Sequence, residues 1–372
     1  CLDANEGDMN IQGSIVDVAV GRMPVNSLEE AKIAINKIEA YLSKDEESMG
    51  PWRKLITFIA DDQSSTYMNH AEQLENIVKE QHGDNSIINK IYLDAYTQEV
   101  NASGERYPTV KNQFDNMISN GVLFMNYSGH GGYNNITNEL FMTTNDIRQM
   151  GNSNQAFWFL ATCGFAHFDA RIPSAAEEAV LNPNGAAIGV LSACRTVYAS
   201  QNKRLNKNLC DTLFGHTDKF SYHMTLGSAT RAAKNMTGID DNKMAYVLLG
   251  DPAIRLNYPT DYQVITTTKV DTLSALSVQS ICGYIMDAEG DTANWFNGQM
   301  DITIWDKMQR VMTQDNDQSD ESLKKKLSYN DYPNKLFTGQ AIVTDGHFEY
   351  TFMVPKDIRY NYGNGRIVYY AY

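Results

Sequence analysis

The chain alternates short, largely apolar runs with longer stretches in which apolar residues recur every three or four positions. Leu55-Ile56-Thr57-Phe58-Ile59-Ala60, Ile87 to Tyr92, Val122-Leu123-Phe124-Met125-Asn126-Tyr127, Phe157-Trp158-Phe159-Leu160-Ala161 and Ala187-Ile188-Gly189-Val190-Leu191 are runs of the first kind. Such runs, bounded by small or polar residues, read as strands buried on both faces. The stretches between them read as helices. Ser27-Leu28-Glu29-Glu30 is a capping box, and Leu28, Ala31, Ile35, Ile38 and Leu42 after it predict one apolar helical face. Ala71, Leu74, Ile77 and Val78 mark a second helix. Pro108 opens a third, with Val110, Phe114, Met117 and Ile118 on one face and Gly121 as its stop, and a fourth lies around Ala175 to Leu181. Repeated strand-helix-strand units predict an α/β fold, a parallel sheet with helices on both faces.

After Leu256-Asn257-Tyr258-Pro259 the period shortens to that of strands alone. Val264-Ile265-Thr266-Thr267, Ile302-Thr303-Ile304-Trp305 and Phe348-Glu349-Tyr350-Thr351-Phe352, separated by turn residues, predict a smaller all-β domain, an Ig-like sandwich. The expected domains are therefore residues 1–258 and 259–372. Gln314 to Lys326 is polar and charged, and is expected to be a mobile hairpin loop. The sequence starts at Cys1 and stops inside the apolar run Arg366 to Tyr372, so it is expected to be a piece lacking upstream parts and cut short at its C-terminal side. No signal peptide is visible, which on that expectation says nothing about location.

Composition narrows the classes. A net charge of −14 in 372 residues argues against nucleic acid or an anionic membrane surface as partner, because both attract basic proteins. No run approaches the roughly 18 apolar residues of a membrane-spanning helix. The five cysteines, Cys1, Cys163, Cys194, Cys210 and Cys282, form no CxxC pair, so neither a zinc knuckle nor a disulfide framework is expected. One working thiol and three or four core residues are the expectation.

Two of the apolar runs end on reactive residues: one leads into Ser128-Gly129-His130-Gly131-Gly132, the other into Thr162-Cys163-Gly164. Parallel sheets collect their chemistry at the carboxyl ends of the strands. A thiol is a useful nucleophile when a nearby base manages its proton, and imidazole suits that task near neutral pH. Cys163 and His130 are the candidate pair, with the amides of Gly131 and Cys163 as an oxyanion hole. His167 lies four positions beyond Cys163, but one such spacing without further ligands does not define a metal site, and no residue is read as a metal ligand.

Tyr127-Ser128-Gly129-His130-Gly131, Ala161-Thr162-Cys163, Leu249-Gly250-Asp251-Pro252-Ala253 and Asp17 to Pro24 resemble motifs of the gingipain family of cysteine peptidases, members of the caspase-like clan. The likeness covers most of residues 14–258. Further on, Gly339-Gln340-Ala341, Phe348, Phe352 to Ile358 and Tyr362-Gly363-Asn364-Gly365 are similar to the β-domain of the PorU-like branch, the sortases of type IX secretion in Bacteroidetes. The resemblance implies a caspase-like fold and a cysteine endopeptidase that cleaves C-terminal sorting domains from secreted cargo through a thioester, transferring the product to lipopolysaccharide or to water. It also implies placement at the outer membrane or cell surface, with cargo proteins and other secretion components as partners. A secreted or surface gingipain-like endopeptidase and a non-catalytic surface scaffold are the alternatives. Asp61 is the expected orienting acid, since it ends the strand Leu55 to Ala60 and matches the place of the family's acidic triad partner; Asp62 is its neighbour, and both could instead cap the turn. Arginine-specific members carry an acidic residue three positions before a histidine matching His70, where this chain has Tyr67. Tyr67, Tyr198 and Arg195 are expected along the substrate cleft. No cofactor is required; structural calcium is implied by the resemblance alone, as no EF-hand pattern is present.

Overall fold

A computed structural model describes residues 15–372 except 44, 46–47, 83–85, 103, 216–223, 260–261, 269–271, 319–323 and 360–361. Cys1 lies outside them. The chain divides into two compact units, residues 1–43, 54–258 and 313–327 in the first and 44–53, 259–312 and 328–372 in the second. Two short segments thus sit in the unit opposite to the one that a single cut at residue 258 assigns them.

The first unit is built on six strands: β1 Leu55–Ala60, β2 Ile87–Tyr92, β3 Phe124–Ser128, β4 Ala156–Ala161, β5 Ala187–Ala193 and β6 Tyr246–Gly250. Their order is β6-β5-β4-β3-β1-β2, and every neighbouring pair is parallel except β5 with β6. The expected parallel sheet is therefore present, closed at one edge by an antiparallel strand. β3, β4 and β5 are buried along their whole lengths, as near-continuous apolar runs require, whereas the first half of edge strand β2 is only partly covered.

Helices α1 Leu28–Leu42, α2 Ser65–His82, α3 Pro108–Asn120, α4 Thr144–Gln149, α5 Ala175–Leu181, α6 Ala199–Phe214 and α7 Leu226–Thr237 cover both faces. Val110, Phe114 and Met117 of α3 and Ala179 and Val180 of α5 join Met125 and Trp158 in one core. On the other face Phe214 of α6 meets Phe124 edge-on at 5.3 Å. Alternate residues of one strand thus serve opposite layers.

Helix α1 departs from its pattern. Ser27 caps it as expected, accepting from the Glu30 amide, but the buried residues are Ala34, Lys37 and Tyr41, and Leu28 is 74% and Ile35 55% exposed. The long stem of Lys37 crosses the layer, and its ammonium donates to the carbonyls of Ala179 and Gly185 at 3.1 and 2.7 Å. Two carbonyl partners, and a pKa that burial lowers to about 7, make that face buriable.

The second unit is all-β. Strands β7 Gln263–Thr266, β8 Val278–Met286, β9 Gly298–Trp305, β12 Lys335–Thr344, β13 His347–Met353 and β14 Arg366–Ala371 form one antiparallel sheet in the order β7-β8-β13-β12-β9-β14, while β10 Gln309–Met312 and β11 Ser328–Asp331 make a separate ribbon. In β13 burial alternates residue by residue, placing Phe348, Tyr350 and Phe352 in the core. The charged segment expected to be a mobile loop is anchored in its described part. Within the first unit the Gln314 amide donates to the Asp94 carbonyl at 2.7 Å, and the Asn316 side chain donates to Tyr96 O and Tyr107 Oη at 2.9 and 3.0 Å.

Candidate active site

Strand register assembles the site. Ala60 pairs with Ser128, and Ser128 with Ala161, so β1, β3 and β4 end level, about 4.8 Å apart. The ladder runs one residue further on each side: the Asp61 amide donates to Ser128 O at 3.1 Å and the Gly129 amide to Ala161 O at 3.4 Å. Asp61, His130 and Cys163 therefore leave the sheet from adjacent strands on one rim.

The turn carrying His130 is held at several points. Its amide donates to Asp61 Oδ2 at 2.7 Å, and its carbonyl accepts from Tyr127 Oη at 2.6 Å and from the Thr137 amide at 3.1 Å. Two glycines allow the approach. A Cβ on Gly129 would lie 2.4 Å from Asp61 Cβ, and one on Gly131 would lie 2.6 Å from Thr162 Oγ1. The base's turn is thereby seated against the residue that precedes the thiol.

The imidazole itself is met by Tyr67. The phenol oxygen is 3.2 Å from His130 Nε2, with the two rings edge to face at 5.5 Å and 83°. Burial raises the Tyr67 pKa, with the charges of Asp61 and Cys163 adding to the shift, so the phenol keeps its proton through the neutral range. Asp61, expected behind the ring, instead accepts main-chain bonds: its carboxylate holds the amides of His130 and Asp62. Tyr67, expected along the cleft, is the imidazole's hydrogen-bond partner.

Cys163 is half-buried, and its sulfur lies between the amide and carbonyl of Val197, at 3.4 and 3.5 Å. The N–H groups of Gly131 and Cys163 have no acceptor among the described residues. Arg195 is engaged elsewhere: its guanidinium bonds Asp169 at 2.9 and 2.5 Å, and that bond holds the exposed Asp169 carboxyl down at about 2. Tyr198 is 65% exposed, so it is a surface aromatic next to Val197 rather than a core one. His167 also faces Asp169, at 3.2 Å, and Tyr133. Among the described cysteines only Cys210 is fully buried, and burial pushes its thiol well up; Cys194 and Cys282 are half-covered, so fewer of the described cysteines are core residues than composition suggests. A cavity of about 250 Å³ between α2 and α6, lined by His70, Leu74, Ile77, Lys203 and Asn206, contains none of the residues above.

Behind the rim, Asp61, Asp62 and Glu139 bring carboxylate oxygens within 4.8 Å of one another. Glu139 comes from the loop of a short ribbon that pairs Asn135–Ile136 with Met142–Thr143. Sequence reading missed it, as it missed Tyr127 and Val197. Tyr127 is an aromatic inside an apolar run, Val197 acts through its main chain, and Glu139 carries no local signal.

A thiol and an imidazole on adjacent strand ends of such a sheet define the cysteine-peptidase class. The model of peptidase family C25 matches residues 1–257, and the chain belongs to that family, the gingipains. Among solved structures, the chain is similar to the Arg-specific cysteine proteinase gingipain R (RgpB), with 17% identity and a TM-score of 0.52 over 97% of this chain and 73% of that one. The complex of Porphyromonas gingivalis RgpB pro- and mature domains matches at 16% identity and a TM-score of 0.52, over 97% and 75%. Dimeric latent PorU from Porphyromonas gingivalis matches at 17% identity and a TM-score of 0.30, over 86% of this chain and 41% of that one. No curated protein matches. No helix among the described residues is long and apolar enough to cross a membrane.

Proposed function

We propose that this chain is the peptidase part of a sortase that removes C-terminal sorting domains from secreted cargo at the cell surface. The observation that carries the catalytic reading is the pairing of two free amides, Gly131 and Cys163, with a thiol and an imidazole on level strand ends. The likeness of the Phe352 to Ile358 and Tyr362 to Gly365 motifs to PorU-like β-domains supports the sortase assignment over general proteolysis.

In this reading the Cys163 thiolate attacks the scissile carbonyl, and the oxyanion is received by the Gly131 and Cys163 amides. Imidazolium at His130 gives its proton to the leaving amine. The Tyr67 hydroxyl, on Nε2, holds the ring in one orientation through that transfer. The remaining acyl thioester is resolved by water, or by an amine of the acceptor in transpeptidation, and the thiolate is released. Asp61 positions the base through the main chain of its turn. Tyr198 and the Arg195–Asp169 pair flank the cleft on the nucleophile's side.

Replacing Cys163 by Ala in the complete protein, in cells, should leave sorting domains attached to cargo and reduce peptide cleavage by about 10⁴-fold or more. Normal cargo processing in that variant would reject the sortase reading. Lost peptide cleavage with normal processing would leave a surface endopeptidase of the gingipain kind.

A further inference from the structure

We propose that the cavity between α2 and α6 is a binding site for a small monocarboxylate with an aliphatic body. Its volume of about 250 Å³ gives room for a ligand of about eight to twelve non-hydrogen atoms, the space of roughly eight waters. The lining divides into an apolar wall and a polar end. Leu74 and Ile77 of α2 supply the wall, while His70, one turn before Leu74, and Lys203 of α6 supply the polar end. His70 is only 8% exposed, yet its ring has no hydrogen-bond partner among the described residues. Buried polar groups normally have one, so an imidazole lining a cavity is a group that a ligand can satisfy. Lys203, half-buried, forms no ion pair among the described residues either. Asn206 lies between them and exchanges hydrogen bonds with Asn126 at 2.7 and 3.1 Å, which leaves one of its two N–H groups unused.

Charge and shape select the ligand. Burial, with the Lys203 charge adding to it, lowers the His70 pKa to about 4, so the ring is neutral in the neutral range and Lys203 carries the charge of that end. A neutral imidazole offers one N–H and an ammonium three, and the two oxygens of a carboxylate can accept from both groups. A bare inorganic anion would meet the same donors but leave the Leu74 and Ile77 wall uncovered, whereas an aliphatic body buries it. Glu80 closes the far end to a second anion, since ten residues of helix place it about 15 Å along α2 from His70. Lys207, the other cation of the lining, already pairs with Asp211 at 2.7 Å. A dicarboxylate is therefore disfavoured by Glu80 and a cation by Lys203. Tyr67 lies one turn before His70 on the same helix, so a bound acid packs against the element that carries the imidazole's partner without touching the rim.

The test uses the full 372-residue chain and readouts that do not involve cleavage. Titration with 4-methylpentanoate, followed by NMR of the histidine ring protons, should saturate with a Kd of about 1 mM or below and shift the His70 resonance, identified by its absence in His70→Phe. The isosteric 4-methylpentanamide and 4-methylpentylamine should each bind about tenfold more weakly, because neither brings a negative charge to Lys203. Lys203→Met keeps the aliphatic stem and should fold; it should weaken the acid about tenfold and leave the amide unchanged. Cys163→Ala should bind the acid as the wild type does, so failure of the peptidase reading leaves this result standing. A tripeptide Ala-Ala-Leu that displaces the acid would show the carboxylate entering as a chain end, and one that does not would show it entering as a free acid; both outcomes support the site. A His70 resonance indifferent to 4-methylpentanoate would overturn the proposal. Equal affinity for acid and amide, or undiminished acid binding in Lys203→Met, would overturn it equally.

Discussion

The two halves of the site are held by different means. On the base's side, His130 is fixed through its amide, its carbonyl and its ring by Asp61, Tyr127, Thr137 and Tyr67, all but Thr137 through side chains. On the nucleophile's side, Cys163 relies on the register of β4 and on the main chain of Val197. An imidazole that must pass a proton needs one orientation, and a ring on a glycine-rich turn has many unless side chains remove them. A sulfur one bond from Cβ at the end of a fully buried strand has little freedom to lose. The base's half therefore concentrates its polar residues in buried positions, whereas the nucleophile's half is ordinary sheet.

That contrast can be broken at defined points. The largest effect short of deleting the nucleophile should come from Gly131→Ala. Its Cβ would lie 2.6 Å from Thr162 Oγ1, so the base's turn must shift away from the thiol, and a displacement of about 1 Å costs on the order of 10²-fold in kcat. Unchanged peptide hydrolysis by this variant would show that the two turns are not closely coupled.

Tyr67→Phe should act more mildly, lowering kcat/KM by about 10-fold, the worth of one hydrogen bond to a group that becomes charged. The pH–rate profile separates positioning from packing. Because the Tyr67 phenol does not itself titrate in the neutral range, any displacement of the profile's limbs in the variant belongs to the His130–Cys163 pair losing a partner on Nε2. A uniform drop with the profile in place would reduce Tyr67 to packing.

The smallest effect is expected on the nucleophile's side, from Arg195→Ala. Arg195 lowers the pKa of Asp169, so the pair's contribution to stability is fully present above the ordinary carboxylate pKa of about 4 and is lost as pH falls toward 2. Both groups are exposed, so wild type and variant should melt nearly together at pH 6 and coincide at pH 2. A KM increase without a kcat change would assign Arg195 to substrate contact; a large kcat loss would contradict the division between the halves.

Much of this was legible in the sequence. β1 begins and ends where its apolar run does, because a strand buried on both faces must be largely apolar and stop where polar residues begin. His130 and Cys163 announce themselves by following such runs. Helix α1 shows the limit: its periodicity gave its existence, but Lys37 satisfied by two carbonyls outweighed a stripe of aliphatic residues in choosing the buried face.

What the sequence by itself determined is the set of strands, their ends and the two reactive residues, since burial pattern is a local property of the chain. Only the tertiary structure decided that Tyr67 rather than Asp61 meets the imidazole, that Asp61 grips the turn instead, and that Glu139 comes to face Asp61 and Asp62 from a distant loop. Hydrogen bonds and carboxylate repulsion act through space over a few ångströms, and no spacing along the chain encodes which side chains will share those ångströms.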